Sequence, residues 1–196
     1  MSSKLEDNVI TCRNAFEQAV TQCYDEMKSV SEYIAERRTD YYTNPLQLLM
    51  ASVAITRIYF PTVILAKPGQ GKTFSILHVA HHALTALKGT YDGVVIYCHA
   101  NIVVMQTKEL AKMFPSQFKM NITNEWTPAL WRTKYRKALF IIDEGEHLVR
   151  HGLLDLSPNG FNGLVALKGE DFLLFSATFS DFHKKAVKEV FDVGDA

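Results

Sequence analysis

An apolar run, Val63-Ile64-Leu65, breaks into the turn Ala66-Lys67-Pro68-Gly69-Gln70-Gly71-Lys72-Thr73. These residue types in this order suit the wrapping of a polyphosphate. Glycines let the backbone curl so that successive N–H groups point inward at an anion. Lys72 would reach the outer phosphates and Thr73 would offer its hydroxyl to a magnesium ion. The helix that follows would present its positive N-terminal end to the same charge. The bland alternative is an ordinary strand-to-helix turn. A loop of this composition after a β-branched run and before an amphipathic helix is uncommon by chance, so phosphate binding is preferred.

Two further strand ends carry chemistry. In Phe140-Ile141-Ile142-Asp143-Glu144-Gly145-Glu146-His147, two carboxylates close a buried strand, at the edge where open α/β sheets place their ligands. Asp143 would hold magnesium through water. Glu144 would orient or deprotonate the water that attacks a γ-phosphate, a displacement catalysed mainly by positioning and charge neutralisation. Leu173-Leu174-Phe175-Ser176-Ala177-Thr178 is again a strand running into hydroxyl residues, with Ser176 33 positions beyond Asp143.

The elements that must position these residues follow from hydrophobic periodicity. Strand-like runs at 62–65, 93–98, 118–123, 138–142 and 171–175 alternate with helical spacing at 72–87, 102–114, 128–137 and 182–191. Strands this apolar, separated by helices, imply a parallel sheet covered on both faces. Ahead of them, Leu5, Val9, Cys12, Phe16, Ala19, Cys23, Met27, Val30 and Ile34 recur every three or four residues, which predicts an amphipathic helix or helix pair. That spacing allows a coiled-coil contact with a protein partner, though packing on the domain is the preferred reading. A polar break at 37–40 and Asn44-Pro45 divides the chain into an N-terminal extension, residues 1–40, and a domain, residues 41–196.

Composition narrows the classes. Lysine plus arginine equal aspartate plus glutamate at 21 each, so no global field draws the chain to nucleic acid or anionic lipid, and such binding would need a local patch. The three cysteines, Cys12, Cys23 and Cys98, lack Cys-x-x-Cys spacing and read as reduced thiols. With no secretory signal at the start, an intracellular protein, cytoplasmic or nuclear, is expected. The apolar stretch 46–66 is interrupted by Gln47, Arg57 and Pro61 and reads as a buried helix followed by a buried strand, with no membrane association. His78, His81 and His82 cluster without a carboxylate or cysteine at ligand spacing, which argues against a metal there. The basic, aromatic run 131–137 and the cations of the last helix read as solvated helix faces.

With phosphate loop, Asp-Glu strand end and Ser-Ala-Thr strand end in this order, the chain resembles the first RecA-like lobe of superfamily 2 helicases of the DExH or DEAD type, over roughly residues 41 to 192. Ala66 agrees, since Ala-x-x-Gly-x-Gly-Lys-Thr is a loop form common in that family. The resemblance implies a RecA-like P-loop NTPase fold that binds ATP with magnesium and acts on single-stranded RNA or DNA. It implies an adenine-reading role for Gln47, 25 positions before Lys72. Asn101, in His99-Ala100-Asn101, and Thr123 fall where the family touches nucleic acid. Glu146, His147, Ser176 and Thr178 fall where it couples the ATP site to motion.

The departures are specific. Glu146 stands where the family has Asp or His, with His147 next to it. His99, Ala100 and Asn101 stand in place of Pro, Thr and Arg, which removes one cationic phosphate contact. The family's second lobe supplies arginine fingers, an effect worth ~10³ to 10⁵ in rate in other nucleoside triphosphatases. The 18 positions after Thr178 leave room for one helix and a short tail but not for that lobe, which another chain or the rest of a longer product would have to supply, and turnover by this chain alone is expected to be slow. Two rivals remain. One is an AAA+-like or other P-loop ATPase for protein remodelling, with Thr178 sensing the γ-phosphate. The other is a turnover-deficient half-helicase that serves as a binding module through its N-terminal helix.

Overall fold

A computed structural model describes residues 2–148 and 164–191. The first element is one long helix, α1 (Ser2–Ala35), not a pair. Its C-terminal half packs on the domain through Met27 and Ile34, while residues 8–18 are exposed on every face. Helix α2 (Pro45–Thr56) is started by local chemistry. Asn44 Oδ1 accepts from Gln47 N at 3.0 Å, Gln47 Oε1 accepts from Asn44 N at 2.9 Å, and Pro45 presets the first helical φ. The apolar stretch 46–66 thus resolves into a helix and a strand, and no helix among the described residues is long and apolar enough to cross a membrane.

Five strands follow with helices between them: β1 (Thr62–Leu65), α3 (Lys72–Thr85), β2 (Gly93–Cys98), α4 (Asn101–Ala111), β3 (Met120–Thr123), α5 (Pro128–Lys134), β4 (Ala138–Asp143), β5 (Asp171–Ser176) and α6 (Asp181–Phe191). The sheet is entirely parallel, in the order β1-β5-β4-β2-β3. The short tail expected after the last helix lies outside the described residues.

Alternation along each strand sends side chains to two cores. Val94, Ile96, Leu139, Ile141, Leu173 and Phe175 pack with helices α1 to α4 on one face. Val95, Phe140, Ile142, Phe172 and Leu174 pack on the other with Ala186, Val187 and Val190 of α6. Residues 138–143 of β4 are all buried, as a central parallel strand covered on both faces requires. Burying each large side chain contributes roughly 1.5 to 3 kcal/mol, so this strand is the rigid base from which residues 143–147 project.

The strand order decides what meets at the carboxyl edge. β5 lies between β1 and β4, with Leu65 opposite Ser176 and Asp143 opposite Phe175. The ends of the three chemistry-bearing strands therefore stand side by side, although Ser176 follows Asp143 by 33 positions in the chain.

Candidate functional site

The 66–73 loop is built on two left-handed glycines, Gly69 (φ 78°) and Gly71 (φ 75°). Both positions favour glycine because a Cβ there would crowd the backbone. Within the loop Lys67 N donates to Gln70 Oε1 at 2.7 Å. Ala66 N donates to Ser176 O at 2.9 Å, tying the loop to the end of β5. Lys72 Nζ reaches back to Ala66 O at 3.5 Å, so the loop curls around its own lysine. No side chain caps α3 at Gly71, which leaves the N–H groups of its first turn facing the loop, with Thr73 in that turn.

Gln47 sits beneath this loop. Its Oε1 is engaged by Asn44 N, and its carboxamide lies where a Cβ of Gly71 would fall. Ser75 Oγ donates to Gln47 O at 2.9 Å. The capping role of Gln47 is thus visible in its hydrogen bonds.

At the end of β4, Asp143 is 6 % exposed, and its Oδ1 is buried without a hydrogen-bond partner. Burial, with the neighbouring Glu144 and Glu146 carboxylates, pushes its pKa up from 3.8 to about 6, and the Lys72 cation offsets part of the rise. Lys72 is thus close enough to Asp143 for its charge to act on the carboxyl. A buried carboxylate oxygen with no donor is chemically suited to a hard cation or the water it carries.

Glu144 follows in a left-handed conformation, φ 55°, which a residue with a Cβ adopts at a cost of roughly 1 to 2 kcal/mol. Its Oε2 lies 2.7 Å from His99 Nδ1 and 3.5 Å from His147 Nε2. The His99 contact is short but misaligned, leaving buried Nδ1 without a formed hydrogen bond. The two imidazoles stack at 3.9 Å with planes 10° apart. Sequence reasoning treated His99 only as a departure from a nucleic-acid motif. The signal that finds its partner is register: Cys98 pairs with Asp143, so residues 99 and 144 leave adjacent strands at one level.

Glu146 bridges two strand ends through hydrogen bonds. Ser176 Oγ donates to Glu146 Oε2 in a short bond, Thr178 Oγ1 donates to Glu146 Oε1 at 3.3 Å, and Thr178 N donates to Ser176 Oγ at 3.1 Å. The glutamate joins the turn after β4 to the end of β5.

Asn101 and Thr123 share a cleft of about 750 Å³ with Met105, Lys108 and Trp131. Its charged lining is one cation, Lys108, and one anion, Glu125. The basic run after Thr127 is partly consumed internally, since Arg132 Nε pairs with Glu170 at 2.6 Å and Lys137 Nζ with Asp171 at 3.0 Å. The three clustered histidines are buried. His78 bonds Tyr41, and His81 Nδ1 lies 2.7 Å from Ser116 Oγ.

No protein-family model matches the chain, and a search of curated proteins returns no match.

Proposed function

We propose that the chain is a P-loop, RecA-like ATP-binding lobe of superfamily 2 helicase type, using magnesium and hydrolysing ATP slowly on its own. The observation that supports this best is a charge pair: Lys72, in a loop of left-handed glycines before an uncapped helix, acts on buried Asp143, whose Oδ1 has no partner. The N–H groups at the start of α3 and the Lys72 ammonium would bind the β- and γ-phosphates. Thr73 and Asp143 would hold magnesium, which when bound neutralises phosphate charge. Glu144 would orient the attacking water, and to do so it must turn from His99 and His147. That turn is a reason for slow turnover. Glu146 would pass the state of the site to Ser176 and Thr178.

The Asn101–Thr123 cleft is the proposed contact for single-stranded nucleic acid, RNA or DNA. With cation and anion balanced it would bind weakly, through neutral polar groups and the Trp131 ring. A second RecA-like lobe from another chain would supply arginine fingers. One observation favours the second reading, a turnover-deficient binding module: the engagement of Glu144 by two imidazoles.

The test is calorimetric titration with ATP and magnesium, followed by hydrolysis assays with and without single-stranded RNA and DNA. Wild type binds, and Lys72→Ala loses binding at least tenfold. Unchanged affinity in that variant sinks the proposal. Hydrolysis that vanishes in Glu144→Gln separates the enzyme from the binding module.

A further inference from the structure

We propose that His99, Glu144 and His147 form a binding site for a divalent transition-metal ion of the zinc class, separate from the magnesium position at Asp143. One atom from each residue, two imidazole nitrogens and one carboxylate oxygen, lies within 4.8 Å of the others. No other group of three or more potential ligands is found among the described residues. The fold itself assembles the set. His99 leaves β2 and Glu144 leaves β4 at paired positions, and the turn from 144 to 147 brings His147 back over the same carboxylate.

The second observation is the state of His99. Its Nδ1 is buried, lies 2.7 Å from Glu144 Oε2, and yet is aligned for no hydrogen bond. A buried nitrogen that forms no hydrogen bond with the oxygen beside it is left to take another partner, as a metal ligand does. The rings stack face to face at 3.9 Å, which brings both imidazoles to the carboxylate with in-plane lone pairs nearly parallel, so one ring must tilt for both to converge on an ion. A tetrahedral ion with bonds of about 2.0 to 2.1 Å needs ligand atoms roughly 3.3 Å apart, so closure requires movements of about 1 Å. The left-handed backbone of Glu144 is the kind of strain found at ligand sites.

The donor set names the class of ion. Two imidazoles and one carboxylate suit Zn²⁺, Co²⁺, Ni²⁺ or Fe²⁺, whereas Mg²⁺ takes oxygen ligands and keeps its water. Side-chain exposures of 30 % for each histidine and 37 % for Glu144 leave a path for the ion and space for water as a fourth ligand. An ion here would hold Glu144 by direct coordination and withdraw it from water. That consequence rests on the ATP reading; metal binding does not.

The experiment titrates the full chain with Co²⁺ in excess Mg²⁺, reading the visible absorption of the coordinated ion, with Zn²⁺ displacement to give affinity. Wild type takes up one equivalent. His99→Ala and His147→Ala each weaken binding at least about tenfold. His147→Gln guards against a folding defect, its circular dichroism matching wild type while affinity falls. Lys72→Ala keeps wild-type metal affinity, so a chain that binds Co²⁺ but no ATP defeats only the nucleotide reading. No saturable band in wild type, or equal affinity in the histidine variants, overturns the proposal. Zn²⁺ slows ATP hydrolysis by wild type and spares His99→Ala; equal slowing in both overturns the link to Glu144.

Discussion

The Gln47 carboxamide occupies the space in which a Cβ on Gly71 would sit, so the first turn of α2 and the 66–73 loop are packed as one piece. Alanine at Gly71 must adopt φ 75° and also push Gln47 out of its capping box with Asn44. Those two costs sum to roughly 2 to 3 kcal/mol. Gly69 has the same handedness but nothing within 4 Å of its Cβ direction, so Gly69→Ala should cost only about 1 kcal/mol. Urea denaturation distinguishes them. Adding Gln47→Ala should recover part of the Gly71→Ala loss, since the clash is pairwise. Equal costs at the two glycines would mean that Gln47 moves aside freely.

Asp143 predicts a trade between stability and ligand binding. Its folded pKa is raised, so its contribution is fully present below 3.8, the ordinary value, and is lost as pH rises through about 6. Above that window the buried carboxylate destabilises the magnesium-free chain. Asp143→Asn should therefore stabilise the protein at pH 8 by roughly 1 to 3 kcal/mol while weakening magnesium-ATP binding. The gain should fade as pH approaches 4. Thermal unfolding at pH 8 and pH 4.5 checks this, and a destabilised variant at pH 8 contradicts it.

The Glu146 link to β5 is tested by comparing two substitutions. Ser176 is fully buried, and Glu146→Ala removes the acceptor of its hydroxyl, at a cost of roughly 1 to 3 kcal/mol. Glu146→Gln keeps an acceptor oxygen and should cost less than half as much. Urea midpoints for the pair measure the difference. Equal destabilisation would assign the cost to lost packing, not to the hydroxyl bonds.

The sheet was legible in the sequence because its three inner strands, β2, β4 and β5, are short apolar runs buried on both faces. Each of β1 to β5 falls on a strand-like run of the sequence, with β3 starting two residues later than periodicity suggests, after a helical turn at Gln117–Lys119. The long N-terminal element was visible as a period but not as one unbroken helix, since the period alone does not reveal where a turn would intervene. Strand order was not legible. It depends on which strand inserts beside β1, and nothing local to Asp171–Ser176 records its neighbours. For that reason the Glu144 partners stayed hidden. His99 and His147 are 48 positions apart and meet only because β2 and β4 are adjacent. Glu146 looked like a broken motif from its identity, whereas the longer glutamate arm reaches Ser176 and Thr178.

The buried histidines of α3 make acid sensitivity a property of the core. Burial and the neighbouring His81 push His78 down from 6.5 to about 3, and burial with His82 pushes His81 down to about 4. Below pH 6.5 the unfolded chain takes up protons that the folded chain refuses, so stability is intact above that pH and falls as the pH drops toward the folded values. Each refused proton steepens the acid limb by roughly 1 kcal/mol per pH unit. His78 lies edge-on to Phe114 at 5.0 Å and hydrogen-bonds the Tyr41 hydroxyl, whose own proton goes to Ser31 Oγ. His78→Phe therefore leaves Tyr41 a partner. Urea unfolding from pH 7.5 to 5 should give this variant a slope shallower than wild type by about one proton, even where its stability at pH 7.5 is lower. Identical slopes would mean that His78 takes up its proton within the folded core, against the burial seen here.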